Sequence, residues 1–201
     1  MPRPKTHDDA LRVRLLHRAG ELLSAEGPGA LSLRRLAADV NTSTTAVYSL
    51  FGGKSALLNA LYDEAFRRFG ERIAEVPETE DPVEDIVRMG LVYRESALAD
   101  PQFYLVMFGR AVPSFEPAEE SREAARRTFL PVVRNVGRAV RAGLFAEVPH
   151  EDAALALWGL AHGLVSLEIN GNLPPGVEVA PMYERAVRAQ ADGWRGRSRD
   201  R

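Results

Sequence analysis

Apolar residues return every three to four positions along almost the whole chain, and nowhere does a period-two alternation persist between turn residues. That pattern confines the chain to an all-α fold with no sheet to complete. Nine helices are predicted, over about 8–26, 33–40, 44–51, 54–75, 83–99, 101–110, 118–142, 152–170 and 178–193, separated by Gly-, Pro- and Asn-rich breaks. Asp8 is the expected N-cap of the first helix, and Gly27-Pro28-Gly29 its stop. At 201 residues and 45% hydrophobic, the chain has material for one or two compact domains.

What the chain lacks narrows the function. It has no Cys, which excludes disulfides, thiolate nucleophiles and Cys-ligated zinc and suits a reducing compartment; cytoplasmic localisation is expected. No apolar leader opens the sequence, and no stretch is expected to reach the ~20 apolar residues of a membrane helix. The four histidines, His7, His17, His150 and His162, offer no pair at i, i+4 ligand spacing, and no P-loop, dinucleotide fingerprint or nucleophile elbow is present. The chain is therefore expected to be no enzyme and to need no metal and no cofactor.

The net charge of −2 conceals an asymmetry: residues 1–55 hold eight Lys/Arg against five Asp/Glu, whereas residues 56–201 hold eighteen against twenty-three. A basic front end suits a polyanion partner, or simply a solvated face. Within it, Leu31 to Leu61 reads LSLRRLAADVNTSTTAVYSLFGGKSALLNAL, two short helices joined by a tight turn and followed by a third, a helix-turn-helix in outline. The turn needs a residue tolerant of left-handed angles, and Asn41 is suited to it. Ser32 and Ser43 are placed to cap the two short helices, with Leu33, Leu36, Ala37 and Val40 inward on one, and Val47, Leu50 and Phe51 inward on the other. That leaves Arg34 and Arg35 outward, and Thr44, Thr45, Tyr48 and Ser49 as one hydroxyl-rich face able to meet base edges and phosphates. Lys54 opens the next helix, where free N–H groups already favour an anion. A generic three-helix packing unit satisfies the same spacing.

The run from Leu33 to Leu58, with Tyr48 and Phe51 three apart, a glycine-containing link and Lys54 ahead of Leu57-Leu58, resembles the DNA-binding segment of the TetR family of bacterial transcription regulators. The resemblance extends over residues 8–65. It implies a helix-turn-helix DNA-binding domain at 1–53 and a helical ligand-binding and dimerisation domain at 54–201. It also implies operator contacts from Ser32, Arg34, Thr42, Thr44, Thr45, Tyr48 and Lys54, with Tyr48 and Lys54 chiefly on phosphates. The implied protein is a repressor that binds a palindromic DNA operator as a homodimer and is released by a small-molecule effector. The recognition face lacks Arg, Asn and Gln, so the alternative is a helical dimeric small-molecule or protein-binding module without specific DNA binding. Arg3 and Lys5 are expected to add contacts from an N-terminal arm.

The helix near 152–170 is apolar on two sides, with Leu155, Trp158, His162, Val165 and Ile169 in one stripe and Leu157, Leu160, Leu164 and Leu167 in another. Such a helix must be covered twice, so this helix and that near 178–193 are the expected homodimer contacts. Gly159 and Gly163 point to the close approach of a neighbouring helix. Residues 158–164 and Leu167-Glu168 are similar to a Trp-His-Gly signature in one subgroup of TetR-like C-terminal domains. Trp158 and His162 are expected to line an effector pocket with Tyr93, Phe103, Met107 and Phe129, or else to be packed core with one satisfied histidine.

Overall fold

The computed structural model describes residues 5–109, 112 and 115–196, with side chains from Asp8 onward. Arg3 and the Lys5 side chain, the expected N-terminal arm, lie outside the described residues, as does the basic tail from residue 197. Among the described residues the secondary structure is helical. It comprises α1 (Lys5–Glu26), a short 3-10 turn (Pro28–Ala30), α2 (Leu33–Asp39), α3 (Thr44–Phe51), α4 (Lys54–Ala74) and α5 (Pro82–Ala99), followed by α6 (Pro101–Phe108), α7 (Glu119–Arg127), α8 (Leu130–Arg141), α9 (His150–Ile169) and α10 (Val179–Gly193). The all-α expectation holds.

Two details differ from the sequence reading. The first helix already includes Lys5, so Asp8 is no N-cap but an acid in the first turn, where the helix dipole favours it. The helix expected over 118–142 is divided at Thr128-Phe129. Pro131 brings no N–H to the Arg127 carbonyl one turn back, so the ladder stops and α8 starts with proline in its first turn.

The chain falls into two compact units: residues through Arg68 together with Asp100–Ala125, and Phe69–Ala99 together with Arg126–Arg201. This partition differs from a cut at residue 53, because the first unit keeps most of α4 and recruits α6 and most of α7.

The first unit is built on α1, whose Leu15, Leu16 and Ala19 are fully buried with Leu36 of α2, Val47 of α3 and Leu57 and Leu61 of α4. Each of these leucine and valine side chains contributes about 1.5–3 kcal/mol on burial. Helix α6 lies on α1 at Gly20: a Cβ there would sit 3.1 Å from Gln102 Cγ, so the missing side chain admits the contact. Asn59 of α4 caps α7 from outside, its Oδ1 accepting from Ala118 N–H (2.9 Å) and its Nδ2 donating to Ser121 Oγ (2.8 Å). Glu64, 6% exposed, accepts from both Arg67 and Arg68 at 2.8 Å. Burial pushes its pKa up, but the two guanidiniums outweigh that and hold it below its ordinary value.

In the second unit α5 packs against α8, α9 and α10. Gly90 lets α10 come close, since a Cβ there would overlap Val187 at 2.8 Å, and the fully buried Tyr183 donates its hydroxyl to the Gly90 carbonyl at 2.8 Å. The fully buried Asp85 accepts from Thr79 N–H and Thr79 Oγ1, both at 2.8 Å, and from Arg138 Nη1 at 2.8 Å. Arg138 also donates to the Thr79 carbonyl and to Asn135 Oδ1 (2.6 Å). This network ties the loop before α5 to α8.

Candidate nucleic-acid interface

The helix-turn-helix is shaped by local hydrogen bonds that its own residues supply. Ser32 Oγ accepts from Arg35 N–H (3.2 Å) and Ser43 Oγ from Ala46 N–H (3.1 Å), each closing the open end of a short helix. At the turn, Asn41 has φ 56°, the one positive φ among the described non-glycine residues. Asn41 N–H donates to Ala38 O (3.1 Å) and Thr42 N–H to Ala37 O (2.8 Å), the paired bonds that end a helix through a left-handed residue. Gly52 (φ 75°) ends α3 in the same hand, its N–H on the Tyr48 carbonyl at 2.7 Å.

This scaffold turns one side of α3 inward through Val47 and Phe51, both buried, and the other outward. Thr45 and Ser49 are exposed, Thr44 is half-buried, and Tyr48 is 53% exposed, far beyond a core aromatic. Thr42 in the turn is half-buried, while Ser32 and Arg34 are exposed at the start of α2. Arg35 is committed elsewhere, in a two-pronged bond to Glu26 (2.8 and 2.6 Å). Lys54 is exposed with Nζ on the Pro28 carbonyl (3.3 Å), a contact easily exchanged for a phosphate. Arg12, above the Phe51 ring at 5.6 Å, links α1 to the end of α3.

Ser55, which the sequence reading does not single out, is a further candidate on this surface. It is exposed beside Lys54 in the first turn of α4, where N–H groups lack helical acceptors; its place one residue after the link was the available signal.

The residues expected around an effector do not all meet. Tyr93, Phe129, Trp158 and His162 come together in the second unit: Tyr93 Oη is 2.9 Å from His162 Nδ1, Trp158 lies 5.6 Å from His162 and Phe129 lies 5.9 Å from Trp158, ring centre to ring centre. Phe103 and Met107 belong to the first unit instead. Phe103 is 2% exposed against α1, edge-on to His17 at 6.1 Å and beneath Arg68 at 4.8 Å, and Met107 packs on the same core. Within the first unit α6 sits close on α1 at Gly20, where a Cβ would stand 3.7 Å from the Phe103 ring.

Helix α9 also resolves its two apolar stripes differently. Ala153, Ala154, Leu157, Ala161 and Val165 are buried, whereas Leu155 (55%), Gly159, Gly163 and Leu167 (42%) form an exposed i, i+4 row. No described atom lies within 4 Å of a Cβ placed on either glycine, so the close approach expected there does not come from within the chain. Contrary to the sequence expectation, α9 is long and apolar enough to cross a membrane by length and composition.

Two parts of the chain match known family models. Residues 15–61 match the family described as "Bacterial regulatory proteins, tetR family", and residues 86–190 match "Tetracyclin repressor-like, C-terminal domain". The chain belongs to the TetR family. It is accordingly a helix-turn-helix, DNA-binding transcription regulator and not an enzyme.

Among solved structures, this TetR-family chain is similar to a protein of unknown function from Rhodococcus sp. RHA1 (27% identity, 92% of this chain and 96% of that one, TM-score 0.80). It shares its fold with PfmR, a TetR family transcriptional regulator from Thermus thermophilus (24% identity, 89% and 95%, TM-score 0.70). The same holds for a tetR-family regulatory protein from Rhodococcus RHA1 (21% identity, 94% and 98%, TM-score 0.75). No curated protein matches the sequence significantly.

Proposed function

We propose that this TetR-family chain is a repressor that binds a palindromic operator as a homodimer and is released by a small-molecule effector. The observation that carries the reading is the outward face of α3, with Thr45, Tyr48 and Ser49 exposed immediately after a turn closed by Asn41. Thr44 and Thr45 lie at the helix N-terminus, the end that meets base edges; Tyr48, Lys54, Arg34, Ser32 and Thr42 serve the phosphates and register. In functional terms residues 1–53 read DNA and residues 54–201 carry dimerisation and effector binding, the protein acting in the cytoplasm. The similarity of the run Trp158 to Gly163 to the Trp-His-Gly signature supports assigning the second domain to that subgroup.

The test is an anisotropy titration against the duplex flanking the chain's own gene, at two salt concentrations. Site-selective binding that weakens steeply with salt is expected, and Tyr48→Ala is expected to weaken it about tenfold, because the dimer loses two phosphate contacts of about 0.7 kcal/mol each. Binding with no preference over random duplex favours the alternative, a dimeric binding module without an operator.

The dimer reading rests on α9. Its row of Leu155, Gly159, Gly163 and Leu167 is apolar and uncovered within the chain, and two glycines one turn apart let a second helix approach closely. A partner's copy of the same row, joined by α10, covers it and accounts for the apolar composition of α9 without a bilayer. Two reading heads then sit about one DNA turn (~34 Å) apart. Leu155→Glu with Leu167→Glu removes four buried leucines per dimer, each worth about 1.5–3 kcal/mol. Sedimentation velocity is expected to show a monomer at micromolar concentration; an unchanged dimer places the interface elsewhere. Effector and operator bind different populations of this dimer, so each must weaken the other by the same factor.

A further inference from the structure

Helix α1 buries one stripe, and that stripe begins with a charge. Leu16, Ala19 and Leu23 follow Arg12 at i+4, i+7 and i+11 and are all buried, so Arg12 stands where the pattern calls for another aliphatic residue. It is half-buried and covers the ring of Phe51, the last residue of α3, with its guanidinium carbon 5.6 Å from the ring centre. An aliphatic side chain covers a ring without the cost of desolvating a charge, so covering Phe51 does not by itself account for an arginine.

Arg12 also differs from its neighbours in how it is held. In the same unit Arg18, Arg35, Arg67, Arg68 and Arg122 each donate to a carboxylate at 2.6–2.9 Å. The Arg12 guanidinium makes no hydrogen bond or ion pair among the described residues, and Asp8, one turn earlier on α1, is not its partner. Contact through the flat face of a guanidinium fixes the group while leaving its N–H donors unspent. The chain that follows Phe51 is bare: among the described residues no atom lies within 4 Å of a Cβ placed on Gly52 or Gly53. Lys54 and Ser55, both exposed, come next. An arginine with unspent donors therefore stands at the end of the helix assigned to the groove, beside a link without side chains.

We propose that Arg12 is a further DNA contact, a phosphate-binding arginine outside the helix-turn-helix that Phe51 holds ready for the DNA backbone at the link between α3 and α4. The inference rests on the groove reading of α3 above and adds to it a residue of α1.

The test reads the salt dependence of DNA binding, because a phosphate contact releases counterions and a packing contact does not. Anisotropy is measured on the full-length chain over a salt series, with the duplex flanking its own gene and a random duplex of equal length. Arg12→Leu, which suits the buried stripe, is expected to lower the slope of log affinity against log salt by about 0.9 for each copy of the residue in the complex. It is also expected to weaken binding to both duplexes about tenfold. Arg12→Gln repeats the loss of charge with a polar side chain and must give the same fall in slope. Arg12→Lys, which keeps the charge but not the planar fork, is expected to hold the slope and lose affinity several-fold. Arg14→Leu removes the same charge from an exposed position of α1 and is expected to leave the slope unchanged. Thermal melting checks folding. A slope that neither Arg12→Leu nor Arg12→Gln changes, an equal fall for Arg14→Leu, or no binding of the parent chain to either duplex overturns the proposal. The operator reading fails separately: equal parent affinity for the two duplexes removes the operator, while the slope on either one still decides Arg12.

Discussion

Thr45→Glu is expected to reduce operator affinity by about a thousandfold or more. The residue is exposed on α3, on the face assigned to the major groove. A carboxylate there meets phosphates and acceptor edges of the same sign, at a cost of about 2 kcal/mol or more in each half-site, and the dimer carries it twice. At 1.4 kcal/mol per factor of ten, the sum is about three decades. The variant isolates binding from folding, because an acid in the first turn of a helix is favoured by the dipole and Thr45 contributes nothing to the buried core. Circular dichroism is expected to give an unchanged melting temperature while anisotropy shows the loss. Operator affinity within tenfold of the parent chain removes α3 from the groove.

Asp85→Ala is expected to cost about 3–5 kcal/mol of stability and to lower the melting temperature by about 10 °C. Alanine leaves Arg138 and both Thr79 donors facing a buried position with no acceptor. The effect has a pH signature. Burial raises the Asp85 pKa, but the bonds from Thr79 and Arg138 more than reverse this and hold it below its ordinary value. A carboxyl depressed on folding binds its proton more readily when unfolded, so its stabilisation is complete above the ordinary value of about 3.9 and is lost as pH falls through the folded value. The difference in urea-unfolding free energy between parent and variant is therefore expected to stay constant from pH 7 to 5 and to narrow below about pH 4. A gap under 1 kcal/mol at pH 7 shows that the network is not holding the loop before α5.

Much of the first unit was readable in advance because its geometry is local. Ser32 and Ser43 cap helices that begin one residue later, Asn41 takes the left-handed angle that the turn demands, and Val47 and Phe51 are inward because they are four apart on one helix. Each of these follows from contacts within about five residues. The candidate effector group was only partly readable. Trp158 and His162 are one turn apart and stayed together, and Tyr93 and Phe129 joined them, but Phe103 and Met107 went to α1. An aromatic residue's apolarity says that it is covered and not by what; Phe103 is covered by α1 near Gly20, 83 positions away in sequence.

The one-dimensional pattern by itself determined the helical class, the turn between α2 and α3 and the polar face that follows it, because periodicity, capping and left-handed turns are settled by neighbours along the backbone. Only the tertiary structure decided that Asp100–Ala125 folds with the first unit, that Asp85 is locked by Thr79 and Arg138, and that Leu155 and Leu167 of α9 remain uncovered. Those outcomes depend on which of several equally apolar faces meet across long stretches of chain, and that choice is made by close packing at sites such as Gly20 and Gly90, where a single absent side chain lets one helix settle on another.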